Sequence, residues 1–124
     1  MNVVDSSAWL SYFAGERNAE VFAQPIAAFD NLLVPSITLT EVFKAVVRQR
    51  DEHVAAEVIA QMKRGNVISL DESIAVEAAD CGLQFGLPLA DSIIYATARK
   101  FRAVVWTQDV DFLDLPDVQY FAYR

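Results

Sequence analysis

Residues 1–15 read MNVVDSSAWLSYFAG. A short apolar run stops at Asp5, Ser6 and Ser7, and a second apolar stretch, Ala8 to Phe13, starts at once. The first run reads as a buried strand over Val3 to Asp5. The second reads as a helix from Ser6 to Ala14, capped by Asp5 or Ser6 and ended by Gly15. A strand that ends in a carboxylate and two hydroxyls has two readings. It caps the helix, or it presents oxygen ligands to a cation. One aspartate does not separate them, so the rest of the chain must.

Outward from this segment, strands and helices alternate. Asn18 to Asn31 has a helical pattern in which Pro25 is expected to break the helix or start a second one. NLLVPS (residues 31–36) reads as a second strand stopped by Pro35, and SITLTEVFKAVVRQR (36–50) as a helix. A further helix runs from Asp51 to Arg64, ending at Gly65. NVISL (66–70) is a third strand, DESIAVEAADCGLQFG (71–86) a helix ended by Gly86, and LADSIIYATARKFR (89–102) a helix after Pro88. AVVWT (103–107) and VQYFAY (118–123) read as the fourth and fifth strands. Short, continuous apolar strands between helices imply a mostly parallel sheet covered on both faces. The expected architecture is a three-layer α/β/α sandwich with a short central sheet, in one domain spanning residues 1–124.

Composition narrows the chemistry. The apolar fraction of 54% and charged fraction of 22% suit a packed domain. One cysteine and one histidine leave little support for thiol or imidazole nucleophiles, and Cys81 excludes an intramolecular disulfide framework. Cys81 reads as a small buried thiol and His53 as a solvated surface residue. No apolar run approaches a membrane span, and nothing marks the N-terminus for export, so a cytoplasmic location is expected. The net charge of −7 argues against nucleic-acid binding unless acids converge on divalent cations.

Open parallel sheets bind ligands beyond the carboxyl ends of their strands. Four carboxylates fall at such places. Asp5 follows the first strand. Glu41 is read into the first turn of the helix after the second strand. Asp91 lies in the first turn of the helix opened by Leu89. Asp109, with Asp111 two residues on, follows the fourth strand. Each also has a structural reading. Thr38 to Glu41 fits a capping box, Asp91 suits a helix N-terminus, Asp5 caps, and Asp109 and Asp111 suit a turn. Together, three or four carboxylates suit Mg²⁺ or Mn²⁺, hard cations that prefer oxygen ligands and activate water against a phosphodiester.

The motifs VVDSS, TLTEV, LPLADSIIYATA and VVWTQDVDF resemble those of the PIN-domain nucleases, in particular the VapC-type toxins of toxin–antitoxin pairs. The resemblance spans the whole chain. Its acids fall on Asp5, Glu41, Asp91 and Asp109, implied to be catalytic and metal-binding. Its hydroxyls fall on Ser7 and Thr107, implied to support the site together with Asp111. This chain has Gln108 where the family often has Asn. The resemblance implies a divalent-metal-dependent endoribonuclease using Mg²⁺, with Mn²⁺ as an alternative, and a small antitoxin as partner. A homodimer is expected as well. An Arg or Lys of the antitoxin is expected to enter the acidic pocket, with Trp9 and Phe13 anchoring its chain.

Lys44 and Arg48, at i+3 and i+7 from Glu41, are expected to lead RNA phosphates toward the acids; the alternative is a solvated helix face. Two other functions fit parts of the sequence. A receiver-like phospho-acceptor domain would use Asp71 after the third strand, but the acid pair and the lysine turn of such domains are missing. A non-catalytic PIN domain that only binds a partner would keep the fold without turnover.

Overall fold

The computed structural model describes residues 1–123. Five strands and six α-helices follow one another as β1 (Asn2–Val4), α1 (Ser6–Ala14), α2 (Ala19–Ala27), β2 (Leu32–Pro35), α3 (Ser36–Gln49), α4 (Glu52–Met62), β3 (Asn66–Ile68), α5 (Glu72–Phe85), α6 (Leu89–Lys100), β4 (Val104–Thr107) and β5 (Val118–Tyr120). Single 3₁₀ turns at Phe29–Asn31 and Val110–Phe112 precede β2 and follow β4. The sheet order is β3-β2-β1-β4-β5, and every pairing is parallel.

Strand pleating divides the core into two layers. Val3, Leu33 and Val105 stand in register across β1, β2 and β4, and pack with Ile74, Ala78 and Cys81 of α5 and Ile93 and Ile94 of α6. Val4, Leu32 and Val34 point the other way, onto Trp9 of α1, Phe22 of α2, Val42 of α3 and Met62 of α4. Both faces of the central strands are therefore buried, which is why the strands read as unbroken apolar runs. Each such side chain contributes about 1.5–3 kcal/mol by leaving water. Cys81 is buried in the first layer, whereas His53 is exposed on α4 and pairs with Glu57 at 3.0 Å.

Helix ends follow the local chemistry. Asp5, Asp51 and Asp71 cap α1, α4 and α5 by accepting from the amides of Ala8, Val54 and Ile74. Gly15 and Gly86 close α1 and α5 with φ near +66° and +67°, where a Cβ would be strained. Pro25 does not break α2 at its own position. It is buried in the last turn of the helix, which ends two residues later. The Thr38–Glu41 capping box does not form. Pro35 is the cap residue of α3, the Thr38 hydroxyl donates back to the Pro35 carbonyl, and Glu41 sits in the second turn. The chain enters α3 directly from a strand ending in proline, so no side chain is free to cap.

The chain leaves β1, crosses to β2 and β3 over one face, and returns over the other through α5 and α6 to β4 beside β1. The direction of winding reverses between β1 and β4. That switch point is where an open parallel sheet forms a crevice beyond its strand ends. The order also argues against the receiver-like alternative. A receiver sheet sets the acceptor strand beside β1. Here β3 is an edge strand two places away. Asp71 caps α5 and pairs with Lys100 at 3.2 Å. Among the described residues no helix is long and apolar enough to cross a membrane.

Candidate metal centre

The carboxyl ends of β1 and β4 bring Asp5 and Thr107 together. Asp5 is only 2% exposed. Its Oδ1 accepts from the Ala8 amide at 3.0 Å and its Oδ2 from the Thr107 hydroxyl at 2.8 Å. The Ser7 hydroxyl donates to the same carboxylate, 2.9 Å from Oδ1 and 3.0 Å from Oδ2. The two readings of Asp5 are thus not exclusive. One oxygen caps α1, and the whole group is fixed at a strand end.

Thr107 links Asp5 to the next acid. Its hydroxyl oxygen also accepts from the Asp109 amide at 2.9 Å. Asp109 in turn caps the 3₁₀ turn by accepting from the Asp111 amide at 2.9 Å. From the other face of the sheet, the first turn of α6 contributes Asp91. Carboxylate oxygens of Asp91, Asp109 and Asp111 lie within 4.8 Å of one another. Asp111, expected only in a supporting place, stands inside this trio. Asp5 and Glu41 stand outside it.

The charges are closely coupled. Burial pushes the Asp5 carboxyl up to about 7; the hydrogen bonds from Ala8, Thr107 and Ser7 oppose this without cancelling it, and Asp109 adds to it. Asp91 is also raised to about 7, by burial first and then by the negative charges of Asp109, Asp5, Asp111 and Glu41. All four remaining acids therefore act on Asp91. Such crowding disfavours charge in the bare protein and is relieved by a cation. The donor set is made of oxygens alone, which fits a hard divalent ion of the Mg²⁺ or Mn²⁺ kind.

Glu41 reaches the site from α3, and its Oε1 accepts from the Ser6 hydroxyl at 2.6 Å. The sequence alone suggests no role for Ser6 beyond capping. Its neighbour Asp5 takes the cap, which frees the Ser6 hydroxyl for Glu41. Lys44 and Arg48 are exposed on α3 and form no ion pair with the described residues. Phe13 lines a cleft of about 540 Å³ between α1, α3 and α4, with Leu10, Val46, Val54 and Val58. Trp9 does not reach a partner-facing surface. It is 1% exposed and stacks on Phe13 at 5.6 Å within the core.

A comparison of the sequence with curated proteins found no match. Solved structures share the fold. A toxin–antitoxin complex from Klebsiella pneumoniae superposes with a TM-score of 0.80 at 24% identity, covering 98% of this chain and 99% of that one. VapC20 of Mycobacterium tuberculosis, described as a toxin that cleaves the sarcin–ricin loop, has a TM-score of 0.74 at 17% identity, over 90% and 92% of the two chains. DNA-bound VapBC from Salmonella typhimurium has 0.73 at 16% identity, over 98% and 96%. The model of the PIN domain family matches residues 3–118, from the first strand to the start of the last. The chain therefore belongs to the PIN domain family.

Proposed function

We propose that this protein is the toxin of a toxin–antitoxin pair, a VapC-type endoribonuclease that depends on a divalent cation. The observation that carries this reading is the convergence of Asp91, Asp109 and Asp111, with Asp5 joined to Asp109 through Thr107. Asp5, Glu41, Asp91 and Asp109 are assigned the catalytic and metal-holding roles, with Asp111 as a further ligand. Ser7 and Thr107 hold the Asp5 carboxylate in one orientation, and Ser6 does the same for Glu41. Mg²⁺ or Mn²⁺ held by these carboxylates would supply an activated water and offset charge on the scissile phosphate. In the bare site the acids repel an anionic backbone, so RNA approach depends on their neutralisation. Lys44 and Arg48 supply phosphate contacts beside Glu41.

A free ribonuclease would damage its host, so a silencing protein is expected. The cleft lined by Leu10, Phe13, Val46, Val54 and Val58 suits an apolar segment of an antitoxin. An arginine of that partner would bridge two of the crowded carboxylates with its planar fork. Self-association has a separate surface. Leu83 and Leu89 are 86% and 78% exposed beside Leu70 on α5 and α6, an apolar patch of the kind that marks an interface.

The test is incubation with total cellular RNA, with and without Mn²⁺ or Mg²⁺, followed by mapping of new 5′ ends. Discrete new ends that appear only with the cation support the reading. Intact RNA under all conditions, while Mn²⁺ is bound, would favour a PIN domain that only binds a partner.

A further inference from the structure

Asn18 is 1% exposed and precedes α2, yet its side chain makes no cap hydrogen bond. An asparagine before a helix ordinarily spends its side chain on the first-turn amides. Here the carboxamide reaches across the chain instead. Its Nδ2 donates to Gln108 Oε1 at 3.1 Å and to the Ala122 carbonyl at 3.0 Å, partners 90 and 104 residues away. A carbonyl only accepts, so the Ala122 contact fixes Nδ2 as the end of the Asn18 amide that meets Ala122 and Gln108. That in turn requires Gln108 to present its oxygen.

Gln108 lies between Thr107, which holds Asp5, and Asp109, which belongs to the acid trio. The same stretch is clamped from the C-terminal side. The Phe121 amide donates to the Thr107 carbonyl at 2.9 Å, and the Phe121 ring stacks on Trp106 at 5.8 Å while meeting Phe22 of α2 edge-on. Beyond β4 the Asp109 amide is held by the Thr107 hydroxyl and the Asp109 carbonyl by the Phe112 amide at 3.1 Å, so both local ties depend on where the β4 exit sits.

We infer that Asn18 is a positioning residue for the acid cluster, fixing through Gln108 and the Ala122 carbonyl the β4 exit that carries Thr107 and Asp109. The inference rests on the metal-dependent reading for its consequence, but not for its geometry. Groups that orient ligands typically change metal affinity by 10–100-fold when removed. A residue that merely anchored the C-terminal segment would act at Ala122 and leave Asp109 as it is.

The experiment compares Asn18→Ala, Gln108→Ala and the double variant by amide hydrogen exchange and by Mn²⁺ titration of the metal-free protein. The amides of Val42 and Val46, buried in α3 away from the β4 exit, report whether the fold is intact. Asn18→Ala and Gln108→Ala are each expected to speed exchange at the Asp109 amide several-fold and to weaken Mn²⁺ binding about tenfold. The double variant is expected to be no worse than Asn18→Ala, because that substitution already removes the contact Gln108→Ala removes. Wild-type exchange at Asp109 in Asn18→Ala, or effects that multiply in the double variant, would overturn the assignment. A loss of protection confined to Phe121 would do the same. If the wild-type protein binds no Mn²⁺, the metal-dependent reading falls, and exchange at Asp109 alone decides the role of Asn18.

Discussion

Thr107 and Asp5 meet across the β1–β4 pair, the threonine hydroxyl donating to the Asp5 carboxylate at 2.8 Å while accepting the Asp109 amide at 2.9 Å. One hydroxyl thus sets two acids from two strands. Thr107→Val keeps the shape and removes both bonds. Leaving the Asp109 amide unpaired is expected to cost about 1–3 kcal/mol of stability. Mn²⁺ affinity should fall by about 10–100-fold, read by calorimetric titration. Unchanged affinity would mean that Thr107 does not orient the ligands.

The metal-free protein should lose stability as pH rises through neutrality. Burial raises the Asp5 carboxyl of the folded chain from the ordinary 3.8 to about 7. The folded state therefore holds the proton more tightly than the unfolded one. That contribution is fully present below about pH 4 and is lost as pH climbs through 7. At about 1.4 kcal/mol per pH unit, Asp5 alone accounts for up to about 4 kcal/mol. Asp91 acts in the same direction. Thermal melts without metal should show a higher Tm at pH 5 than at pH 8. Asp5→Asn, which still caps α1, should flatten this slope and melt no lower than wild type at pH 8. A large fall in its Tm there would make Asp5 chiefly structural.

Lys44→Ala with Arg48→Ala should weaken RNA binding and flatten its salt dependence. For single-stranded RNA, removing one phosphate-binding cation lowers the log–log slope by about 0.7. Filter binding with Asp91→Asn, across a salt series, measures the slope without cleavage. An unaltered slope would leave these two residues as a solvated helix face.

Growth should stop when this chain is expressed alone and resume when the neighbouring small open reading frame is expressed with it. Phe13→Asp changes the cleft between α1, α3 and α4 without touching the acids. It should weaken the rescue and leave cleavage intact. A harmless chain at high expression, with no co-purifying protein that protects RNA, would remove the toxin reading even if the nuclease survives.

Much of this arrangement is legible in the residues, for a physical reason. Val3, Val4 and Leu32 to Val34 are buried on both faces, so the strands announce themselves as apolar runs. Ligands of a parallel sheet gather at strand exits, so Asp5 and Asp109 stand next to recognisable strands. What the sequence hides is what only tertiary contact decides. Glu41 has the spacing from Thr38 of half a capping box, but the hydroxyl that meets it belongs to Ser6, 35 residues earlier. Asp111 has the local pattern of a turn residue, and only the approach of Asp91 from α6 makes it part of an acid trio. Asn18 carries no local signal, because its partners are 90 and 104 residues away. Trp9 and Phe13 share one helix face, yet only Phe13 lines the cleft.

Whether this acid cluster cuts RNA with the help of a divalent cation is decided by following cleavage of a defined RNA with wild type, Asp5→Asn and Asp91→Asn, each in Mn²⁺ and in EDTA, with folding of every variant checked by melting. Discrete cleavage by wild type in Mn²⁺, abolished by EDTA and by either substitution in a folded protein, is the predicted result. Cleavage that persists undiminished in EDTA, or in folded Asp91→Asn, would contradict it.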